Sequence, residues 1–179
     1  MQLYDQRLRF ARDLVLHWSE VRGRDRVLVP SERDLDFSAL ERILPKLSIT
    51  DSPTPNAAIV SVMGRDRIEP DLARAIKGAN WFDLIPPEAR KLAEHIHRRL
   101  IETPCGVYYH YTASGSDDFF QEGETLVLPI RKGDSKTPSS TISVRNVLRR
   151  QGNVDPSRPP KLEKLQLDYV DIGAGIPQE

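Results

Sequence analysis

The apolar positions of this chain alternate between a helical and an extended rhythm, and each change of rhythm marks an element. Over residues 3–21 they recur at three and four: Tyr4, Leu8, Ala11, Val15 and Trp18 make one seam, and Leu3, Phe10, Leu14 and Val21 flank it. The spacing predicts a helix whose adjoining seams pack against its own domain and against something else. Gly23 is its expected end. After a polar connector, Asp36 or Ser38 should cap a short helix carrying Leu40, Ile43 and Leu44, which Pro45 terminates. Residues 46–51 and 57–63 read as short strands joined by a Ser-Pro-Thr-Pro-Asn turn. Residues 64–79 hold one weak helix around Leu72, Ala73 and Ile76.

The clearest pattern lies at 78–112, where residues 80–85 approach a long helix. Pro86 and Pro87 suit its first turn, whose amides have no intrahelical partner. Glu88 near one end and Arg98 and Arg99 near the other match the helix dipole. Thr103-Pro104 stops it, because proline holds the preceding residue extended. Ala89, Leu92, Ala93, Ile96 and Leu100 share one face. Cys105-Gly106 then turns the chain into an aromatic strand. Val107, Tyr109 and Tyr111 face one way, and Tyr108, His110 and Thr112 the other. Rings on both faces predict a strand covered on both sides.

Two more strands are expected over 122–131, with Leu126, Leu128 and Ile130 alternating, and over 141–148, where Ile142, Val144 and Asn146 oppose Arg145. Polar turns at 114–118 and 132–139 separate them. Residues 152–160 form a Pro-rich linker, and 162–172 again has strand character. The chain thus divides into an N-terminal amphipathic helix (1–30), a central domain (31–150), and a linker with a strand-like tail (151–179). The fold class is α+β: a five-stranded antiparallel sheet with helices on one face, plus the leading helix and the tail.

Composition narrows the role. A length of 179 residues, 39% hydrophobic and 29% charged, suits one soluble domain of ordinary size with appendages. The 26 basic and 26 acidic residues cancel, leaving no global field for nucleic acid or an anionic membrane. Basic clusters at Arg22, Arg24 and Arg26 and at Arg145, Arg149 and Arg150 read as solvated surface. No apolar run approaches the ~20 residues of a membrane span, and the charged beginning is unlike a signal peptide. One cysteine excludes an intrachain disulfide and any multi-cysteine metal site. The expectation is a cytoplasmic protein with no nucleic-acid or membrane partner.

The leading helix ends in HWSEVRGRDRVLVPSERDLD, LERILPKLSITD precedes the first strands, and GANWFDLIPPEARKLA opens the long helix. With the tail LQLDYVDIGAGIP, these segments resemble the PAS domain, in particular a bacterial family of stand-alone PAS proteins. The segment VMGRDRIEPDLARAIKG departs from that family's pattern of an AG-like turn and a helix with an aromatic residue and a Gly-Arg pair. The resemblance implies a cleft between long helix and sheet that takes haem, flavin, a small organic ligand, or nothing. A flavin-reactive cysteine would stand in an Asn-Cys-Arg context before the long helix, where this chain has Asn80-Trp81-Phe82. Cys105 reads instead as a buried small hydrophobe. Haem would need an axial ligand. His97, roughly 80° from the centre of the apolar face, is the candidate, and His95, at roughly 120°, should be solvated. No pair among His17, His95, His97 and His110 has metal-site spacing.

The expected protein is a non-enzymatic PAS-type sensory or regulatory protein in signal transduction, with no resident cofactor. It should act through a small apolar or aromatic ligand, through a signalling protein partner, or both. The expected cleft lining is Trp81, Ile85, Leu92, Ile96, Tyr109, Leu128 and Val144, and the expected homodimer surface is Leu8, Ala11, Val15 and Trp18. Two alternatives stand beside it. One is a pure interaction module with a filled cleft. The other is a cone-fold, isomerase-like enzyme in which Tyr109 or Tyr111 polarises a carbonyl while Asp83 removes a proton. No Gly-rich phosphate loop, nucleophile elbow or two-histidine zinc motif accompanies these residues.

Overall fold

A six-stranded antiparallel sheet organises residues 6–54, 56–67, 76–85, 87–115, 118–153, 158 and 160–178, those that the computed structural model describes. The strands are β1 (Leu47–Asp51), β2 (Ile59–Met63), β3 (Gly106–Ser114), β4 (Phe120–Ile130), β5 (Ser140–Gln151) and β6 (Lys161–Val170). They lie in the order β2-β1-β5-β4-β3-β6, each antiparallel to its neighbours. The first five are the expected sheet. The tail supplies the sixth strand, pairing with β3 from Val170 opposite Gly106 to Lys161 opposite Ser114. Leu3, Tyr4, Pro86 and the helix around Leu72 and Ala73 lie outside the described residues.

The leading helix starts as a 3-10 turn, Gln6–Ala11, and continues as α1, Arg12–Asp25. Gly23 does not end it. Arg26 does, in the left-handed region at φ 52°, and the amides of Arg26 and Val27 reach back to the carbonyls of Gly23 and Arg22 at 3.4 and 3.2 Å. The short helix expected after the connector is a run of tight turns instead. The amides of Ala39, Leu40, Glu41 and Ile43 each bond three residues back, and Pro45 sits inside a 3-10 turn, Leu44–Lys46. A segment this short gains little from an α-helical nucleus, yet Leu40 and Ile43 still reach the core. The long helix, α2, runs Pro87–Glu102 and stops before Thr103-Pro104 as expected. Gly106 then opens β3 where a Cβ would press on Leu128 Cδ2 at 3.0 Å and Val170 Cβ at 3.1 Å.

Alternation along the strands gives the sheet two unlike faces. On one, Leu47 and Ile49 of β1 stand beside Val144 and Ile142 of β5, which stand beside Leu126 and Leu128 of β4. All six are buried under α1, whose Leu8, Ala11, Leu14, Val15, Trp18 and Val21 close one core with them. Trp18 Nε1 donates to the Pro129 carbonyl at 3.0 Å, so the indole is both buried and satisfied. Both seams of α1 therefore face its own sheet. Leu8, Ala11, Val15 and Trp18, expected at a dimer surface, are at most 5% exposed and contribute to the intramolecular core instead.

The opposite face belongs to α2. Ile96 and Leu100 pack with Cys105 and Val107, and Tyr109, Val127, Leu167 and Tyr169 join them partly buried. The first half of β3 is thus covered on both sides. Tyr108 lies on the α1 side, its ring centroid 6.5 Å from that of Phe10, and Tyr109 lies on the α2 side.

Candidate functional site

Towards β5 and β1 the α2 face of the sheet turns polar. Register aligns Val127, Ser143 and Ser48 in one row and Pro129, Thr141 and Thr50 in the next, while Tyr109, Thr125 and Arg145 form a third. Ser48, Thr125, Thr141 and Ser143 are no more than 9% exposed. Buried hydroxyls need partners, and these find one another: Ser48 Oγ and Ser143 Oγ are 2.8 Å apart, Thr50 Oγ1 and Thr141 Oγ1 2.7 Å. Two hydroxyls bonded together use one of their two protons. Each pair keeps one O–H to offer.

Arg145 closes this row. Its Nη1 donates to the Arg67 carbonyl at 3.2 Å, its guanidinium lies 5.7 Å from the Tyr111 ring centre, and its Nε is buried with no partner. Arg67 in turn donates from Nη1 to the Lys46 carbonyl at 3.1 Å. Burial, and then the charge of Arg145 beside it, lowers the Arg67 pKa to about 9, with Tyr111 acting in the opposite sense. Among the described residues no carboxylate pairs with either guanidinium. Gly123 opposite Tyr111 lets that ring lean in, since a Cβ there would stand 2.6 Å from the Tyr111 hydroxyl. Gln121 Nε2 holds the same hydroxyl at 2.8 Å.

His97 lies deeper than its helical angle suggested. It is 8% exposed, its Nε2 is 2.6 Å from Ser52 Oγ, and its ring stands edge-on to Phe82 at 5.4 Å. Burial lowers its pKa to about 4, so the imidazole is neutral near pH 7. The nitrogen at the tip of the ring is engaged by Ser52 rather than offered to an iron. Cys105 is fully buried as expected, and burial, then Asp171, raises its thiol to about 11. Among the described residues no cluster of metal-ligating side chains occurs.

Of the expected lining, Ile96 and Tyr109 meet beneath α2. Trp81 is half-buried at the head of a 3-10 turn, Trp81–Asp83, and the ring that enters the interior is Phe82, 2% exposed. Asn80 Oδ1 fastens that turn to β2 by accepting from the amides of Ala58 and Phe82 at 3.0 and 3.3 Å. Ile85 is half-buried. Leu92 is 47% exposed and faces outward. At about 100° per residue the arc that Ile96, His97 and Leu100 bury is centred toward His97, roughly 90° from Leu92. Leu128 and Val144 belong to the α1 core on the other side of the sheet. Alternation had fixed that they share a face, but not which helix covers it.

The residues that sequence reasoning missed are Ser48, Thr125, Ser143, Arg145 and Arg67. A signal existed: β1 and β5 carry Ser48, Thr50, Thr141, Ser143 and Arg145 on one parity and large aliphatics on the other. For the enzymatic alternative, Asp83 is 63% exposed and ion-paired with Arg90 at 3.4 Å, so it does not face Tyr109. Burial holds the Tyr109 hydroxyl well above its ordinary pKa. Two open surface hollows, one against Arg22 and Arg26 and one against Phe119 and Gly152, border neither guanidinium of the candidate site.

A five-strand antiparallel core in the order 2-1-5-4-3, crossed on one face by a long helix, defines a small α+β domain. A family model described as PAS domain matches residues 7–144, and the chain belongs to that family. No curated protein and no solved structure matches it. Among the described residues no helix is long and apolar enough to cross a membrane.

Proposed function

We propose that the chain is a non-enzymatic PAS module that senses a small organic anion and passes the signal on through protein contacts. One observation carries the reading: Arg145, on the α2 face of the sheet, has its Nε buried without a partner, and half-buried Arg67 stands beside it, neither with a carboxylate partner among the described residues. Burying a cation is costly unless an anion accompanies it. A carboxylate or phosphate would supply that anion, and a guanidinium takes either in a two-pronged fit. The rest of the ligand would lie against Tyr109, Tyr111 and the hydroxyl rows, so the apolar or aromatic body expected from the sequence gains an acidic head.

The experiment is thermal unfolding with mono- and dicarboxylates and phosphate esters, against chloride at matched ionic strength, for the unmodified chain and Arg145→Met. A ligand present at about 100 times its Kd adds roughly 2.7 kcal/mol, a rise of about 5–10 °C for a domain of this size. The expected result is such a rise with one anion class, lost in Arg145→Met. If no anion outperforms chloride at about 10 mM, a concentration that would reveal any Kd below the millimolar range, the reading fails.

A further inference from the structure

β6 leaves one edge of the sheet open. The opposite edge is covered: the Gly78 amide bonds to the Val60 carbonyl at 2.8 Å, the Val60 amide to the Ala79 carbonyl at 3.0 Å, and Asn80 bridges to Ile59. Along residues 161–167, among the described residues, β6 makes no backbone bond beyond its ladder with β3. An open edge of 10 residues is a template for another strand. It carries the usual guards against indiscriminate pairing. Lys161, Glu163 and Lys164 are exposed, and Glu163 is the extra residue of a bulge, since Thr112 pairs with Lys164 and Ala113 with Leu162. The strand also lies beyond residues 7–144, so it is an addition to the matched PAS segment.

The side chains of β6 are self-complementary about one position. Register with β3 puts Lys164, Gln166 and Asp168 on the α1 side of the sheet and Leu165, Leu167 and Tyr169 on the α2 side. A two-fold axis normal to the sheet preserves the faces, so opposed residues must share parity. With the axis through Gln166, Lys164 falls opposite Asp168 of the second copy, and Asp168 opposite Lys164. Leu165 then meets Leu167 twice. Centring on Leu165 instead sets Lys164 against Gln166, and centring on Leu167 sets Lys164 against Val170 and Gln166 against Asp168, so neither gives Lys164 an acid. Opposed unlike charges stabilise a strand pair and like charges disfavour it.

We propose that β6 pairs antiparallel with β6 of a second copy about an axis at Gln166, joining two sheets into one of twelve strands. Of the three registers, this one alone sets Lys164 against an acid, Asp168 of the other copy. Leu165 and Leu167 extend the apolar patch that Leu167 and Tyr169 form with α2 across the axis. The regular part of the ladder, residues 164–168, is short, which predicts association in roughly the micromolar range.

Sedimentation velocity of the full chain from about 5 to 500 µM, a range that spans such a Kd, tests the proposal. The unmodified chain should shift to a dimer as concentration rises. Lys164→Asp should weaken it by about tenfold or more, because two pairs per dimer turn repulsive. Adding Asp168→Lys should restore it. Independently, Gln166→Cys should give a covalent dimer under diamide, since the two cysteines would oppose each other on the axis, while buried Cys105 stays unreactive. A monomer across the range, a dimer indifferent to Lys164→Asp, or a dimer that Gln166→Cys does not cross-link overturns the proposal.

Discussion

Ser52 and His97 tie the two layers of the candidate site together, the hydroxyl just past the end of β1 standing 2.6 Å from Nε2 of an imidazole on α2. Because burial holds the His97 pKa at about 4, the unfolded chain takes up a proton near pH 6.5 that the folded chain refuses. The resulting stability is fully present above pH 6.5 and is lost as pH falls toward about 4, below which this group adds no further change. A shift of this size amounts to about 3 kcal/mol at most. Urea unfolding at several pH values should show the slope, and His97→Gln should flatten it. A slope unchanged in His97→Gln would assign the pH dependence elsewhere.

Charge placed on α1 should unfold the protein rather than dissociate it. Val15 and Trp18 are 2% and 0% exposed within the chain's own core, so Val15→Glu buries an unpaired carboxylate. The expected product is aggregated or unfolded. Trp18→Phe is the milder probe: it deprives the Pro129 carbonyl of its donor and should cost about 1–3 kcal/mol. A folded Val15→Glu monomer by light scattering would show that α1 faces outward after all.

Cys105 should be inert in the folded state. Its thiol, raised to about 11, is ionised to about one part in a thousand at pH 8, and no solvent reaches it. Iodoacetamide should leave native protein unmodified by mass spectrometry and label it once in urea. Fast native labelling would mean that the β3 end of the α2 interface opens readily.

Gly123→Ala should disturb the candidate site from a distance. The new methyl would stand 2.6 Å from the Tyr111 hydroxyl and 3.1 Å from the Asn146 carbonyl, forcing the ring away from Arg145. The expected loss is about 1–3 kcal/mol, with a weaker response to any anion that binds there. An alanine variant as stable as the parent would show that Tyr111 is not held against its neighbour.

The sequence disclosed the elements well because their signals are local. Thr103-Pro104 stops α2, and alternation over 122–131 marks β4. Even the tail announced itself as a strand, although its partner β3 could not be read from it. What escaped was the assignment of faces. Leu128 and Val144 visibly share a side, but two amphipathic helices compete for the sheet, and the broader stripe of α1 takes the face where β1, β5 and β4 carry large aliphatics. α2 is left with the mixed one. Arg145 reads from the sequence as solvated surface, and Ser48 and Ser143 give no signal of their own, because polar type alone does not reveal a covering layer. A helical wheel centred near Ala89, Ile96 and Leu100 leaves His97 at the margin, and packing turns the helix toward it.

The bond from Trp18 to Pro129 spans 111 residues, and this separation bears on how the chain reaches its native state. α1 emerges early, yet β4 and β5, which cover its stripe, are synthesised only after β1, β2, α2 and β3. At about 5–20 residues per second, the stripe waits roughly 6–20 seconds before its cover exists. Closing so long a loop also makes the topology a slow one. The helix that anchors the finished core therefore carries an uncovered apolar stripe, open to misassociation, until its cover has been made.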